Sequence, residues 1–248
     1  MKISLITATF NSEATLQICI EAIRKLQFED LEYIVIDGGS TDGTLEIIAH
    51  NRDIITSTIS EKDDGIYDAL NKGLAIATGE VIGFMHSDDL PASNAIFNRI
   101  EKELEDPNID GVYGDLHYVD KTNPEKIIRN WKSSPFTVDL IKKGWMPPHP
   151  TLFLRKGVYE KHGMFNTDYS IAADYEFVLR IFTDPKLQFR YIPEVITKMR
   201  VGGASNRSLK NILQKSKEDL KAMRTNGIKN PWRVLFHKNF SKITQFFK

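Results

Sequence analysis

In Leu31-Glu32-Tyr33-Ile34-Val35-Ile36-Asp37-Gly38-Gly39-Ser40-Thr41-Asp42-Gly43-Thr44, an apolar run stops at an aspartate and passes through a glycine-rich polar turn. It resumes at helical spacing over 44–50. This reads as a buried strand, a short turn and a helix. The same order recurs on both sides. Residues 2–8 form a β-branched apolar strand, and Asn11-Ser12 offers N-cap chemistry for a helix over 13–27. Residues 54–60 read as a strand, 65–77 as a helix closing near Gly79, and 81–86 as a strand stopping at Ser87-Asp88-Asp89-Leu90-Pro91. Strands alternating with helices through short links predict an α/β chain, with a Rossmann-like, mostly parallel central sheet and helices on both faces. Three of the four strands end in polar clusters, at 7–11, 37–42 and 86–89. Ligands of such sheets bind beyond the carboxyl ends of the strands.

After Pro91 the pattern is mixed. A helix is expected over 93–105, strands over 111–119 and 126–131, and a broken loop at Gly144-Trp145-Met146-Pro147-Pro148-His149-Pro150. A strand over 151–155, a helix over 172–182 and two strands near 189–192 and 195–201 follow. No strong linker precedes Gly202-Gly203, so the expected division is a catalytic domain over 1–205 and a basic helical tail over 206–248.

The chain has 248 residues, 41% of them apolar and 27% charged, which suits one packed globule and excludes disorder. No apolar run approaches the ~18 residues of a membrane span and no signal pattern follows Met1, so a cytoplasmic protein is expected. The single cysteine, Cys19, shares a helical face with Leu16, Ile20, Ile23 and Leu26 and reads as core. The net charge is zero, yet residues 206–248 hold eleven Lys/Arg against Glu218 and Asp219. The tail is therefore +9 and the body −9. Within 229–248, Trp232, Leu235, Phe236, Phe240, Ile243 and Phe247 recur at helical spacing among Arg233, Lys238 and Lys242. Such a basic amphipathic helix attaches to an anionic membrane surface, or packs on the catalytic domain or a dimer partner. Nothing places a recognition helix or stacking surface for nucleic acid.

Two clusters carry chemistry. His86-Ser87-Asp88-Asp89 delivers adjacent carboxylates to the sheet edge, where Mg²⁺ or Mn²⁺ would find oxygen ligands. Neighbouring side chains of an extended segment point apart, so the two aspartates have different partners, unless they cap a helix starting near Pro91. In the second cluster, Asp37 either accepts from a base N–H or a ribose hydroxyl, or closes an Asx turn. The dinucleotide fingerprint, the P-loop and the His-Glu-x-x-His zinc pattern are absent.

Together these segments resemble the inverting family 2 glycosyltransferases of the GT-A fold, from Ile3 to about Ser205. Residues 3–11 are similar to that family's first strand and nucleotide loop, and 34–44 to its Asp-Gly-x-Ser-x-Asp-Gly-Thr segment. Residues 64–73, DGIYDALNKG, are similar to the helix before its metal strand, and Ser87-Asp88-Asp89 stands at its Asp-x-Asp-type motif. The resemblance implies that Thr7, Thr9, Asp37 and Asp64 line a nucleotide pocket, that Asp88 meets the ribose, and that Asp89 binds a divalent ion bridging the diphosphate. Lys72 would approach the phosphates. Asp174, in Ala172-Ala173-Asp174-Tyr175-Glu176-Phe177, would be the base that deprotonates the acceptor. Ala173 stands where the family has Glu, which leaves Glu176 as an alternative. His149 and Arg200 match positions bordering the acceptor and the diphosphate, and Trp145 either stacks on a sugar or packs. The implied activity is transfer from a UDP- or GDP-sugar to a glycan or lipid-linked acceptor in bacterial cell-surface polysaccharide biosynthesis. The competing readings are a nucleotidyltransferase and a degenerate nucleotide-sugar-binding module.

Overall fold

The computed structural model describes residues 1–202 and 209–240. Strand β1 (Ile3–Thr9) pairs in parallel with β2 (Leu31–Asp37), from Ile3↔Leu31 to Thr9↔Asp37. Strand β3 (Ser57–Ser60) lies outside β2, and β4 (Val81–Phe84) lies on the other side of β1, both parallel. Alternate residues of these strands feed opposite layers. Ile6, Ile34, Ile36, Ile82 and Phe84 join one core cluster, while Ile3, Leu5, Tyr33, Val35 and Val81 join the other. Helix α1 (Leu16–Arg24) covers the second cluster with Leu16, Cys19, Ile20 and Ile23. Helix α2 (Thr44–His50) adds Ile48 to it, and α3 (Ile66–Ile76) covers the first with Tyr67, Leu70 and Leu74. At Gly73 of α3 a Cβ would lie 2.5 Å from the Ile6 side chain, so this helix can sit directly on β1 only with glycine there.

The second half of the sheet is mixed. Strand β5 (Asp89–Pro91) is antiparallel to β9 (Phe189–Arg200), and β9 is parallel to β6 (Gly111–Val119). Strand β7 (Ile127–Trp131) forms a hairpin on β6, and β8 (Phe153–Arg155) bridges β4 and β6 in antiparallel sense. The order is β3-β2-β1-β4-β8-β6-β9-β5, with β7 sharing the β8 edge of β6. Helices α4 (Ile96–Leu104), α5 (Val138–Ile141), α6 (Lys156–His162) and α7 (Ala173–Phe182) complete the layers. Helices α8 (Leu209–Thr225) and α9 (Pro231–Phe240) follow. Leu220, Ala222 and Met223 of α8 and Val234 and Leu235 of α9 are buried in the same cluster as Phe177, Val178 and Ile181 of α7.

Four local expectations are corrected. The first helix begins at Leu16 without a side-chain cap. Asn11 and Ser12 instead bond to the loop after β2: Thr41 N donates to Asn11 Oδ1 at 2.9 Å, and Ser12 N to Thr44 Oγ1 at 2.8 Å. Asp89–Pro91 is a strand and α4 starts only at Ile96, so Asp88-Asp89 does not cap a helix at Pro91. The two strands expected over 189–201 are one. It runs through Pro193 because register shifts opposite Gly114 absorb the missing N–H. Lys156–His162, not foreseen, is helical.

Candidate active site

The carboxyl ends of β1, β2 and β4 carry three loops knitted into one rim. Asn11, in the left-handed region at φ 48°, donates its N–H to Ser40 Oγ at 2.8 Å, and Ser12 Oγ lies 2.9 Å from Ser87 Oγ. Asp37 is fully buried and its carboxylate accepts from Gly39 N (3.2 Å), Ser40 N (3.1 Å), Ser40 Oγ (2.5 Å) and Ser60 Oγ (2.7 Å). It shapes the turn that follows β2. Thr7, also buried, donates to the Met85 carbonyl at 2.6 Å and accepts from Tyr33 Oη at 3.2 Å, tying β1 to the segment that leads into Asp88. Thr9 is buried, with no hydrogen-bond partner for Oγ1.

Asp89 is 0% exposed and neither carboxylate oxygen has a hydrogen-bond partner. Burial first, and then the charge of Asp88, push its carboxyl well above the usual carboxylate range. Arg200, 4% exposed at the end of β9, leaves Nε and Nη1 unpartnered, and its charge opposes that rise. Orphaned buried charges are costly, and a charged ligand is what would satisfy them. Mg²⁺ is commonly held by one or two carboxylates plus substrate phosphates. The described residues contain no group of three His, Cys, Asp or Glu able to hold a metal. The donor set therefore fits an ion completed by a ligand's oxygens, and does not fit a closed protein cage.

Asp174 lies in the first turn of α7, half-buried. Its Oδ1 accepts from Tyr175 N at 2.8 Å and lies 3.1 Å from Tyr67 Oη, which is also 2.8 Å from the Ile171 carbonyl. Burial, and then the Asp174 charge, raise the Tyr67 phenol far above its ordinary value, so it stays a proton donor. The field of Asp174 also reaches His86, His149 and Tyr118. His149 is stacked on Phe84 (5.3 Å between centroids) and edge-on to Phe165, and burial lowers its pKa to about 4. It is neutral near neutral pH. His86 is likewise lowered by burial, and its Nδ1 has no partner. Asp88, Asp89, Asp174, His149 and Arg200 thus act on one region, together with His86, Tyr67 and Tyr118.

Residues 4–163 match the family model described as glycosyl transferase family 2. The chain belongs to glycosyl transferase family 2. A "PGL/p-HBAD biosynthesis glycosyltransferase" of Mycobacterium bovis is 32% identical over 212 residues, covering 82% of this chain and 78% of that protein. The "Dolichyl N-acetyl-alpha-D-glucosaminyl phosphate 3-beta-D-2,3-diacetamido-2,3-dideoxy-beta-D-glucuronosyltransferase" of Methanococcus voltae is 26% identical, covering 76% of this chain and 66% of its own. Among solved structures, S. aureus TarS superposes with a TM-score of 0.70 at 18% identity, over 97% of this chain and 44% of that one. This chain therefore spans less than half the length of TarS. The mannosyltransferase PcManGT of Pyrobaculum calidifontis, in complex with GDP-Man and Mn²⁺, has a TM-score of 0.68 at 19% identity, covering 96% and 69%. The GT-A fold and glycosyltransferase class are thus shown.

Other residues of this family 2 glycosyltransferase singled out from sequence have these surroundings, Asp64 sharing a hollow with Tyr67 and Ser170. Lys72 pairs with Glu61 (2.8 Å) and Asp68 (3.2 Å), and Asp64 is exposed, donating its N–H to Asp68. Trp145 packs among Tyr113, Phe136 and Phe182, each 5.6 Å away by centroid, so packing is what its ring does here. Glu176, the alternative base, is buried with Arg180 at 2.7 Å and Asn226 of the region after α8. Tyr67 sits inside the quoted DGIYDALNKG segment and His86 heads the acidic cluster, so both carried a signal. Tyr118 carried none.

Proposed function

We propose that this glycosyltransferase moves a sugar, with inversion, from a UDP- or GDP-sugar to a glycan or lipid-linked acceptor in cell-surface polysaccharide assembly. The observation that carries the reading is the buried Asp89 carboxylate without a hydrogen-bond partner, under the charge of an Arg200 whose Nε and Nη1 are also unpartnered, with Asp174 acting on the same region. Thr9 and Asp88 would contact the nucleoside, and the Asp37 loop would shape its pocket. Asp89 would hold Mg²⁺ or Mn²⁺, whose chemistry there is to neutralise charge on the departing diphosphate. Arg200 adds a fixed positive charge for the same phosphates. Asp174 removes the acceptor hydroxyl's proton as its oxygen attacks the anomeric carbon; the bond to the diphosphate breaks and its electron pair leaves with the nucleotide. Oδ1 accepts from Tyr175 N and lies beside Tyr67 Oη, which leaves Oδ2 to meet the acceptor. Two fold neighbours support the donor class: PcManGT is bound to GDP-Man and Mn²⁺, and TarS to UDP-GlcNAc.

No helix among the described residues is long and apolar enough to cross a membrane. The proposed place of work is the cytoplasmic face of an anionic membrane, reached through α9. Trp232, Phe236 and Phe240 are 65%, 58% and 55% exposed along one side of that helix, with Arg233 and Lys229 nearby, while Val234 and Leu235 face the core. Lys238 of the basic amphipathic pattern is instead buried against Asp219, and its remainder, 241–248, lies outside the described residues.

The test is nucleoside diphosphate release from UDP- and GDP-sugars with Mn²⁺ or Mg²⁺, with product anomers read by NMR. General-base catalysis contributes about a hundredfold or more, so Asp174→Asn should lose at least that in turnover while still binding nucleotide. Full turnover by Asp174→Asn, or a retained anomeric configuration, would overturn the reading.

A further inference from the structure

Helix α7, which carries Asp174, begins at Ala172-Ala173, and neither alanine can cap a helix. The capping acceptor arrives from another helix, 46 residues along the chain. Glu218 of α8 accepts from Ile171 N (2.8 Å) and Ala172 N (2.9 Å) on Oε2, and from Ser170 N (3.2 Å) and Ser170 Oγ (2.9 Å) on Oε1. One turn earlier on α8, Gln214 Nε2 donates to Ser170 Oγ at 2.6 Å and to Glu218 Oε1 at 3.1 Å, so the carboxylate is itself oriented. Burial pushes the Glu218 carboxyl up, but the bonds from Ile171, Ser170, Ala172 and Gln214 outweigh it and hold the group below its ordinary range. Its negative charge also complements the positive end of α7.

On the opposite side of the same segment, Tyr67 of α3 contacts the Ile171 carbonyl and Asp174 Oδ1. Residues 170–174 are therefore clamped between α3 and α8. Helix α9 reinforces the clamp: Lys238 Nζ bonds Asp219, the residue after Glu218, at 2.9 Å and lies 3.0 Å from the ring centre of Tyr175, the residue after Asp174.

We infer that Glu218 is a positioning residue for Asp174, so that the C-terminal helix α8 is a working part of the transfer site. The inference rests on Asp174 being the base. Glu218 touches no reacting atom; it sets where the first turn of α7 starts and hence where the Asp174 carboxylate points. Misplacement of a catalytic group by about an ångström costs up to roughly a hundredfold in rate, without weakening the donor site.

The test uses the full chain with Glu218→Ala, Glu218→Gln, Asp174→Asn and the Glu218→Ala/Asp174→Asn pair. Nucleoside diphosphate release from a panel of UDP- and GDP-sugars with Mn²⁺ gives kcat and donor KM, and amide hydrogen exchange reports on 170–176. Glu218→Ala should lower kcat by about ten- to a hundredfold with donor KM within about twofold. Glu218→Gln, which keeps one acceptor oxygen and is the variant least prone to misfold, should recover part of the loss. Exchange at Ile171 and Ala172 should quicken in Glu218→Ala, whether or not any sugar is turned over. In the Asp174→Asn background, Glu218→Ala should cost nothing further. Unchanged exchange would overturn the inference. So would wild-type kcat in Glu218→Ala, or an undiminished loss in the double variant. Wild-type kcat in Asp174→Asn would instead overturn the base assignment on which it rests.

Discussion

Replacing Lys238 with methionine removes an ammonium that is buried against Asp219 and the Tyr175 ring. The Lys238 and Asp219 side chains are 4% and 2% exposed, and Nζ and Oδ1 are 2.9 Å apart. Methionine fills most of the lysine stem's volume, so the change isolates the charge and leaves the packing. Stripping one partner from a buried ion pair costs about 3–5 kcal/mol, because the remaining charge is stranded in low dielectric. Lys215, 3.6 Å from the other Asp219 oxygen, still compensates in part and places the expected loss at the low end, about 3 kcal/mol. For a chain of this size each kcal/mol moves Tm by roughly 2–4 °C, so Tm should drop by about 6–12 °C. The companion variant Asp219→Asn/Lys238→Met removes both charges and should return to within about 1 kcal/mol of wild type. Thermal unfolding by circular dichroism, with urea melts as a second probe, reads both numbers. A Lys238→Met protein within about 1 kcal/mol of wild type would refute the reasoning. A double variant no better than the single one would do the same.

Other consequences follow from single contacts. Glu32, buried between β1 and the loop before β4, accepts from Thr78 N (2.7 Å), Lys2 Nζ (3.1 Å) and the Ser4 hydroxyl. Burial raises its pKa, but these bonds prevail and bring it from 4.5 to about 2. A depressed carboxylate stabilises the fold above its unfolded pKa, so about 3 kcal/mol should be lost as pH falls from about 4.5 towards 2. Glu32→Gln should flatten urea-melt stability over that window; an unchanged slope would contradict the assignment. Arg200→Ala should weaken UDP or GDP binding by about tenfold or more, yet leave the free nucleoside's weaker binding unaltered, measured by calorimetry. Equal losses for nucleoside and nucleotide would place the guanidinium elsewhere. Trp232→Ser/Phe236→Ser should reduce sedimentation with phosphatidylserine vesicles while sparing Tm, since both rings are exposed. Undiminished sedimentation would remove α9 from the membrane account.

The N-terminal half was legible because β1, β2 and β4 are covered on both faces, and continuous apolar runs ending in polar turns are what that burial requires. The acidic cluster was legible for the same reason: the strand before it is apolar and the carboxylates stand where it stops. β5 was not, since three residues cannot display a period, and their strand character comes from pairing with β9 more than a hundred positions later. The two strands expected near 189–192 and 195–201 are joined through Pro193, where register shifts against β6 keep a single strand, an outcome of pairing that local sequence does not display. Asp37 left two readings open; four bonds from Gly39, Ser40 and Ser60 show its oxygens organising the turn. Tyr67 and Glu218 reach the Asp174 segment across long sequence separations, and nothing local distinguishes Glu218 from a solvated acid in a basic tail.

The claim at the centre of the account is that Asp89 serves a metal-dependent nucleotide diphosphate site. It is tested most directly by calorimetric titration of UDP and GDP, with and without Mn²⁺, into wild type and Asp89→Ala. The account predicts that one of the nucleotides binds wild type more tightly with Mn²⁺ and that this gain disappears in Asp89→Ala. A gain of the same size in both proteins, or none in wild type, would contradict it.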